Sequence, residues 1–319
     1  MHRKRLIDID IAVGITIILV VYGHLQFTED MTSMYLVSRD IVYKFHMPLF
    51  MFLSGFLMSY TYKPLISSED YKRFIKKKAI KFLPPYILFS IIFIVLEGVL
   101  NRSTREGILQ DFIDMLLYPS KSPAGFLWYI YVLFQFYIIL PLLMKLANNK
   151  IHILLLIAIG LQFFKEVELF NINLFSFYFL FVVLGIIATK YLDQYYKLIS
   201  RFGILFVVLF VTAIVFSFYY GINKLSLGLL SIPTMGFMSI MIEKTRLKDH
   251  LGKIGRHSFY IYLMNTLVMG ALYVVFTKYL KFELSPFLLV IFLISGVYLP
   301  MIIYNRIIKR NKLLNKIIQ

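Results

Sequence analysis

Asp10 and His24 bracket an apolar run, Asp-Ile-Ala-Val-Gly-Ile-Thr-Ile-Ile-Leu-Val-Val-Tyr-Gly-His, with no other charged side chain between them. If the run is helical, fourteen steps of about 100° bring the carboxylate and the imidazole back to within roughly 40° of one stripe, about 21 Å apart along the axis. An ionisable group within an apolar span must face protein or water rather than acyl chains, so one face of this segment is a functional-site hypothesis. The chemistry open to it is proton transfer: an imidazole titrates near neutrality and can take the proton of a hydroxyl or carry an acyl group itself. A second imidazole, His46, follows in Phe-His-Met-Pro-Leu-Phe-Met-Phe-Leu-Ser-Gly-Phe.

The elements that position these residues are membrane helices. The 319 residues are 60% hydrophobic and 16% charged, with a mean hydropathy of +0.77, well above a soluble domain. Apolar stretches of crossing length, around 20 residues, fall at roughly 9–27, 42–62, 82–100, 125–147, 151–165, 172–190, 203–220, 225–243, 259–277 and 286–306. The fifth is short and ends in charge. The fold class expected is therefore all-α, a polytopic bundle of about ten transmembrane helices forming one domain over 1–319. No loop is long enough to hold a soluble core.

The net charge of +17 reflects topology rather than nucleic-acid binding, because the basic residues sit in short runs between the spans. Cytoplasmic loops hold an excess of Lys and Arg, and with both termini inside, the inner segments collect 25 of the 34. Lys77 and Gln319 are then expected in the cytoplasm and Thr104 outside. On this topology His24 lies near the outer end of the first helix and His46 near the outer start of the second. The N-terminal Met-His-Arg-Lys-Arg imitates a signal peptide, but no small-residue cleavage site follows, and the segment reads as a retained helix. The absence of cysteine removes thiolate metal sites and any acyl-thioester on the protein.

Ile9-Asp10 through Ile18-Leu19-Val20-Val21-Tyr22-Gly23-His24, then His46-Met47-Pro48-Leu49-Phe50-Met51-Phe52-Leu53-Ser54-Gly55-Phe56, resembles the bacterial membrane acyltransferase family 3. The basic segment running into Leu83-Pro84-Pro85-Tyr86, Leu127-Trp128-Tyr129, and Gly255 with Ser258-Phe259-Tyr260-Ile261-Tyr262-Leu263 match later landmarks of that family. The resemblance implies transfer of an acyl group, usually acetyl from acetyl-CoA, to hydroxyls of cell-envelope glycans or their lipid-linked precursors, in a bacterial cytoplasmic membrane. A subset of the family is tied to succinylation or proposed as polysaccharide exporters.

It implies His24 as the catalytic histidine, with Asp10 and His46 completing the set. Arg73, Lys78 and Lys81 stand in a basic run that could grip the phosphates of an acyl-CoA, although lysine lacks the bidentate fork of arginine and such a run also anchors anionic lipid. Trp128 is either an interfacial belt residue or a platform for a sugar, and Asn265 is its companion on the substrate side. Two positions depart from the family. A cation usual eleven residues before the histidine is here Val13, so another cation, Arg5 or Lys81, must reach Asp10; and Leu263-Met264-Asn265 stands where a histidine is often near, although Asn cannot shuttle a proton at neutral pH.

The reading is a transmembrane O-acyltransferase with acyl-CoA as donor, no permanently bound cofactor and no metal; its partners are the glycan and the bilayer, not nucleic acid. The alternatives are an exporter or flippase of the same fold, in which the two histidines line a path, and a non-catalytic member that assists a synthase.

Overall fold

The computed structural model describes residues 5–25, 33–62, 65, 67–100, 105–147, 150–164 and 166–318, and every regular element among them is helical. Thr104 and Gln319 lie outside the described residues. Among the described residues eight helices are long and apolar enough to cross a membrane. Their outward side chains are apolar too: on α8 (Leu192–Tyr220) Ile204, Leu205, Val208, Val211 and Val215 are exposed, a surface stable only against hydrocarbon. This is a polytopic helical membrane protein.

The chain is built of two compact units, one within Met1–Thr61 and Ala188–Ile307, the other within Tyr62–Ile187 and Ile308–Gln319. In the first unit α1 (Ile7–Gly23) is the central element, packing against α2 (Ser33–Tyr60), α9 (Lys224–Glu243), α10 (Leu247–Arg256), α11 (Ser258–Tyr273) and α12 (Pro286–Arg306). Its sequence explains why. A helix that is apolar all round is buried all round, and Ile11, Ile17, Val20 and Val21 are fully enclosed. Side chains start the flanking helices: Asn223 accepts from Ser226 N ahead of α9, and Ser285 from Leu288 N ahead of α12, where Pro286 takes a first position that needs no N–H.

Two expectations change within the elements. The second span reads as opening near residue 42 with Pro48 close to its start, yet α2 begins at Ser33 and Pro48 sits in mid-helix. Within the added turns Tyr35 bonds to the end of α1. Likewise the basic run is not a loop but the first turns of α3 (Ser68–Leu100). Ser67 and Asp70 form a reciprocal cap, Ser67 N donating to Asp70 Oδ2 at 3.1 Å and Asp70 N to Ser67 Oγ at 3.1 Å, which starts the helix ahead of the cations.

The second unit also holds α4 (Arg105–Leu117), α5 (Trp128–Leu146), α6 (Ile151–Leu161), most of α7 (Ile172–Lys190) and α13 (Lys312–Ile318). At eleven residues α6 spans only about 17 Å, short of a hydrocarbon core. Lys121 nevertheless pairs with Glu168, and Ser120 Oγ donates to Asn171 Oδ1 at 2.9 Å, so the segment after α6 is back at the end where α5 begins. The short helix and its flanks therefore return the chain along α5.

Candidate active site

His24 caps the C-terminal end of α1, its backbone N–H directed at the carbonyls of Val20 and Val21, 3.1 Å from each. The last carbonyls of a helix lack partners within it, and α2 supplies them. Tyr43 donates to Gly23 O at 2.9 Å; Tyr35 donates to Leu25 O at 2.6 Å and Tyr22 O at 3.0 Å. Two phenols thus hold the backbone on both sides of His24. Tyr35 and Tyr43 are the residues whose role the sequence hides, because a tyrosine at a helix end reads first as a membrane-belt residue.

The imidazole is fixed from α11. His24 Nδ1 lies 2.8 Å from Asn265 Oδ1. Asn265 is fully buried and its Nδ2 donates to Ile261 O at 2.9 Å and Tyr262 O at 2.8 Å. Those partners accept only, so the amide cannot be turned round without setting its oxygen against two carbonyl oxygens. The oxygen therefore faces His24, and Nδ1 must carry the proton. Thr266 Oγ1 also donates to Asn265 Oδ1, at 3.2 Å. In the neutral imidazole Nδ1–H is therefore spent on orientation and the lone pair lies on Nε2, the form a general base or nucleophile needs.

Both N–H groups of Asn265, expected on the substrate side, and its oxygen are engaged inside the protein, the oxygen against His24, so the side chain fixes the orientation of the ring. An asparagine in this place does what a proton shuttle would not: it sets a tautomer, as the third group of a nucleophile and base triad does.

His46 is almost fully buried, donates from Nδ1 to Val42 O at 2.6 Å and meets the Tyr43 ring edge-on at 5.1 Å between centroids. His24 and Lys224 both lie within electrostatic reach of it, so α1 and α2 bring the two imidazoles to one end of the unit. Lys224, the first residue of α9, had no signal in the sequence beyond being a charge in a sparsely charged connection.

Asp10 is at the other end of α1. Arg5 clasps it with both donors, Nε to Oδ2 at 2.5 Å and Nη2 to Oδ1 at 3.1 Å, and Arg256 Nη1 stands 3.6 Å from Oδ2. The two arginines provide the charge that Val13 lacks; Arg5 was one of the two cations expected to reach it, and Arg256 read only as a topology residue. About 21 Å of helix separates this group from His24, so the two side chains do not share one site, and the ion pairs of Asp10 join the N-terminal segment to α10. Beside it Asp8, buried and missed in the sequence, accepts from Tyr196 OH at 2.7 Å.

The remaining expected residues belong to the second unit. Arg73 is tied to the capping carboxylate of Asp70 at 3.0 Å, Lys78 Nζ sits 3.9 Å above the Tyr137 ring, and Lys81 is exposed. At four-residue spacing Arg73, Lys77 and Lys81 share a stripe, and Lys78, one turn before Lys81, lies at its edge with its ammonium over the Tyr137 ring. Trp128 stacks on Tyr178 with centroids 5.0 Å apart, which occupies one of its faces.

The fold and the site define a polytopic helical membrane protein with an oriented imidazole at the end of its central helix. The chain is a member of acyltransferase family 3: residues 6–305 match the family profile, whose description is acyltransferase domain. The nodulation protein NolL of Mesorhizobium japonicum is 28% identical over 214 residues, covering 65% of this chain and 54% of NolL. The match thus spans about half the length of that relative. No solved structure matches the chain.

Proposed function

We propose that the protein transfers an acyl group, acetyl being the simplest, from an acyl-CoA to a hydroxyl of an envelope polysaccharide or its lipid-linked precursor, in a bacterial cytoplasmic membrane. The observation that carries this reading is the His24–Asn265 pair, because it leaves the lone pair on Nε2. The hydroxyl oxygen attacks the thioester carbonyl while Nε2 takes its proton. The imidazolium so formed keeps its Nδ1–H on Asn265 Oδ1. On collapse the C–S bond breaks and the CoA sulfur leaves with the proton held on Nε2, which returns the histidine to its starting form. In a covalent variant Nε2 itself attacks the thioester carbonyl, the C–S bond breaks and CoA leaves as the thiolate; the hydroxyl then opens the acyl-imidazolium, its proton passes to the thiolate, and Nε2 regains its lone pair.

The donor's phosphates are met by the exposed stripe of Arg73, Lys77 and Lys81 on the first turns of α3, a point-charge site in which lysine dominates. His46 and Lys224 add polar groups to the end of the first unit where His24 acts; in the second unit Trp128, stacked on Tyr178, is the residue offered to a sugar ring.

The test is glycan O-acylation, read by mass spectrometry in cells that lack the native protein and express His24→Ala. Acylation should disappear while surface glycan remains. If surface glycan vanishes and its acylation never depended on the protein, the exporter reading replaces this one.

A further inference from the structure

At the end of the first unit remote from His24, a cavity of about 330 Å³ opens between α10 and α12. That volume is at the small end of ligand pockets. On α12 Tyr298, Met301, Ile302, Asn305 and Arg306 fall at helical spacing on one face, and on α10 His250 and Lys253 are one turn apart, so both faces converge on the same space. The walls are fixed. His250 Nε2 and Tyr298 OH are 2.5 Å apart, while Asn305 Nδ2 donates to Met301 O at 2.8 Å and to His257 Nε2 at 3.3 Å.

Two features set its chemistry. Its charged lining is entirely basic, and among the described residues neither Lys253 nor Arg306 has a carboxylate within ion-pair distance; neighbouring Arg256, by contrast, is turned to Asp10. Its remaining wall, built of Ile254, Met301 and Ile302, is apolar. Cations in the last turn of a helix are favourable against its dipole, but the dipole does not explain why cations from two helices border one cavity with an apolar floor.

We propose that this cavity binds a phosphate-bearing amphiphile, with Lys253 and Arg306 on the phosphate oxygens and the apolar part against Ile254, Met301 and Ile302. The phosphate comes from one of two sources, the headgroup of an anionic phospholipid or a coenzyme A donor. Neither the acyl-transfer chemistry nor the stripe on α3 is needed for it.

The experiment uses the full-length protein in zwitterionic nanodiscs. One arm titrates CoA calorimetrically; the other measures, by native mass spectrometry, retention of phosphatidylglycerol against phosphatidylcholine. Both are repeated with Lys253→Gln and Arg306→Gln, singly and together. These side chains are exposed, so the variants should fold, and their thermal unfolding verifies it. Binding of either ligand should weaken at least tenfold in the double variant and should weaken with salt. A CoA response that the double variant loses identifies the donor as the source, and a phosphatidylglycerol response that it loses identifies the lipid. Absence of both responses, or binding equal in wild type and the folded double variant, overturns the proposal. Should the double variant fail to fold, the two single variants carry the same test, with each expected to weaken binding. Because binding is read without turnover, the outcome is independent of His24.

Discussion

Gly14 of α1 and Gly255 of α10 face each other at a crossing where neither helix has room for a Cβ. One built on Gly255 would collide with the carbonyl oxygen of Asp10, and one on Gly14 with that of Leu251. The obstacles are backbone atoms, which cannot turn aside as a side chain can. This close approach brings Arg256, the residue after Gly255, to the carboxylate of Asp10, so two glycines set the ion cluster at that end of the bundle.

Alanine at either position should therefore destabilise the protein by about 1–3 kcal/mol, the usual cost of overpacking. Gly160→Ala and Gly270→Ala are the controls: a Cβ at either meets nothing within 4 Å, and alanine should be neutral or stabilising by up to about 1 kcal/mol in a helix interior. Thermal unfolding of the four variants in one detergent decides it. Equal melting temperatures for Gly14→Ala and Gly160→Ala would show that the crossing has slack.

The sequence made the helical class plain, because apolar stretches of crossing length with basic residues between them have few other solutions, and among the described residues eight helices are long and apolar enough to cross a membrane. The extents of α2 and α3 were hidden for a common reason. Both extend beyond their apolar core through polar turns, whose helicity depends on Tyr35 and Tyr43 finding carbonyls on α1 and on the Ser67–Asp70 cap. At the site, His24 was legible from type and position. Asn265 was visible as a departure, but its task depends on its contact with a residue 241 positions away. The separation of about 21 Å between Asp10 and His24 was legible from helix geometry, whereas the second cation at Asp10, Arg256, comes from a residue 246 positions further on and was not.

The orientation drawn from the basic residues makes a second prediction. The native chain has no cysteine, so single cysteines report sidedness without background. Cysteine at Lys77 should react only from the cytoplasm, and cysteine at Lys121 and at Glu166 only from outside. The Glu166 result tests the return path through α6. Labelling of Lys77→Cys from outside would invert the whole topology, whereas a cytoplasmic Glu166→Cys would remove one crossing.

The donor stripe can be separated from its neighbour on the same helix. Lys77→Gln with Lys81→Gln should raise KM for acetyl-CoA by about tenfold with kcat little changed, and added salt should raise the wild-type KM in the same direction. Lys78→Gln, which loses a cation–π contact with Tyr137, should reduce stability by about 0.5–2 kcal/mol and leave KM near its wild-type value. Donor kinetics unchanged in the stripe variant would assign these lysines to anchoring at the membrane surface.

The last prediction concerns the tautomer of His24. His24→Ala should keep the fold and lower acyl transfer by about 10²–10⁴-fold, the loss typical of removing an acid–base catalyst. His24→Gln should be nearly as inactive, since an amide can hydrogen-bond but cannot accept the proton, whereas a transport path would accept glutamine as a polar lining group. Asn265→Leu then isolates the orienting bond. It removes the acceptor of Nδ1–H at similar volume, so kcat should fall by about 10–100-fold while KM for both substrates is retained, the signature of a residue that acts through His24. Asn265→Asp looks conservative and should not be: it accepts from His24 with one oxygen but turns the other towards the carbonyls of Ile261 and Tyr262, which now receive the two N–H groups of the amide. Its melting temperature should fall below that of Asn265→Leu. If Asn265→Leu keeps wild-type kcat, His24 does not need its partner to hold the proton on Nδ1, and the base must be sought elsewhere.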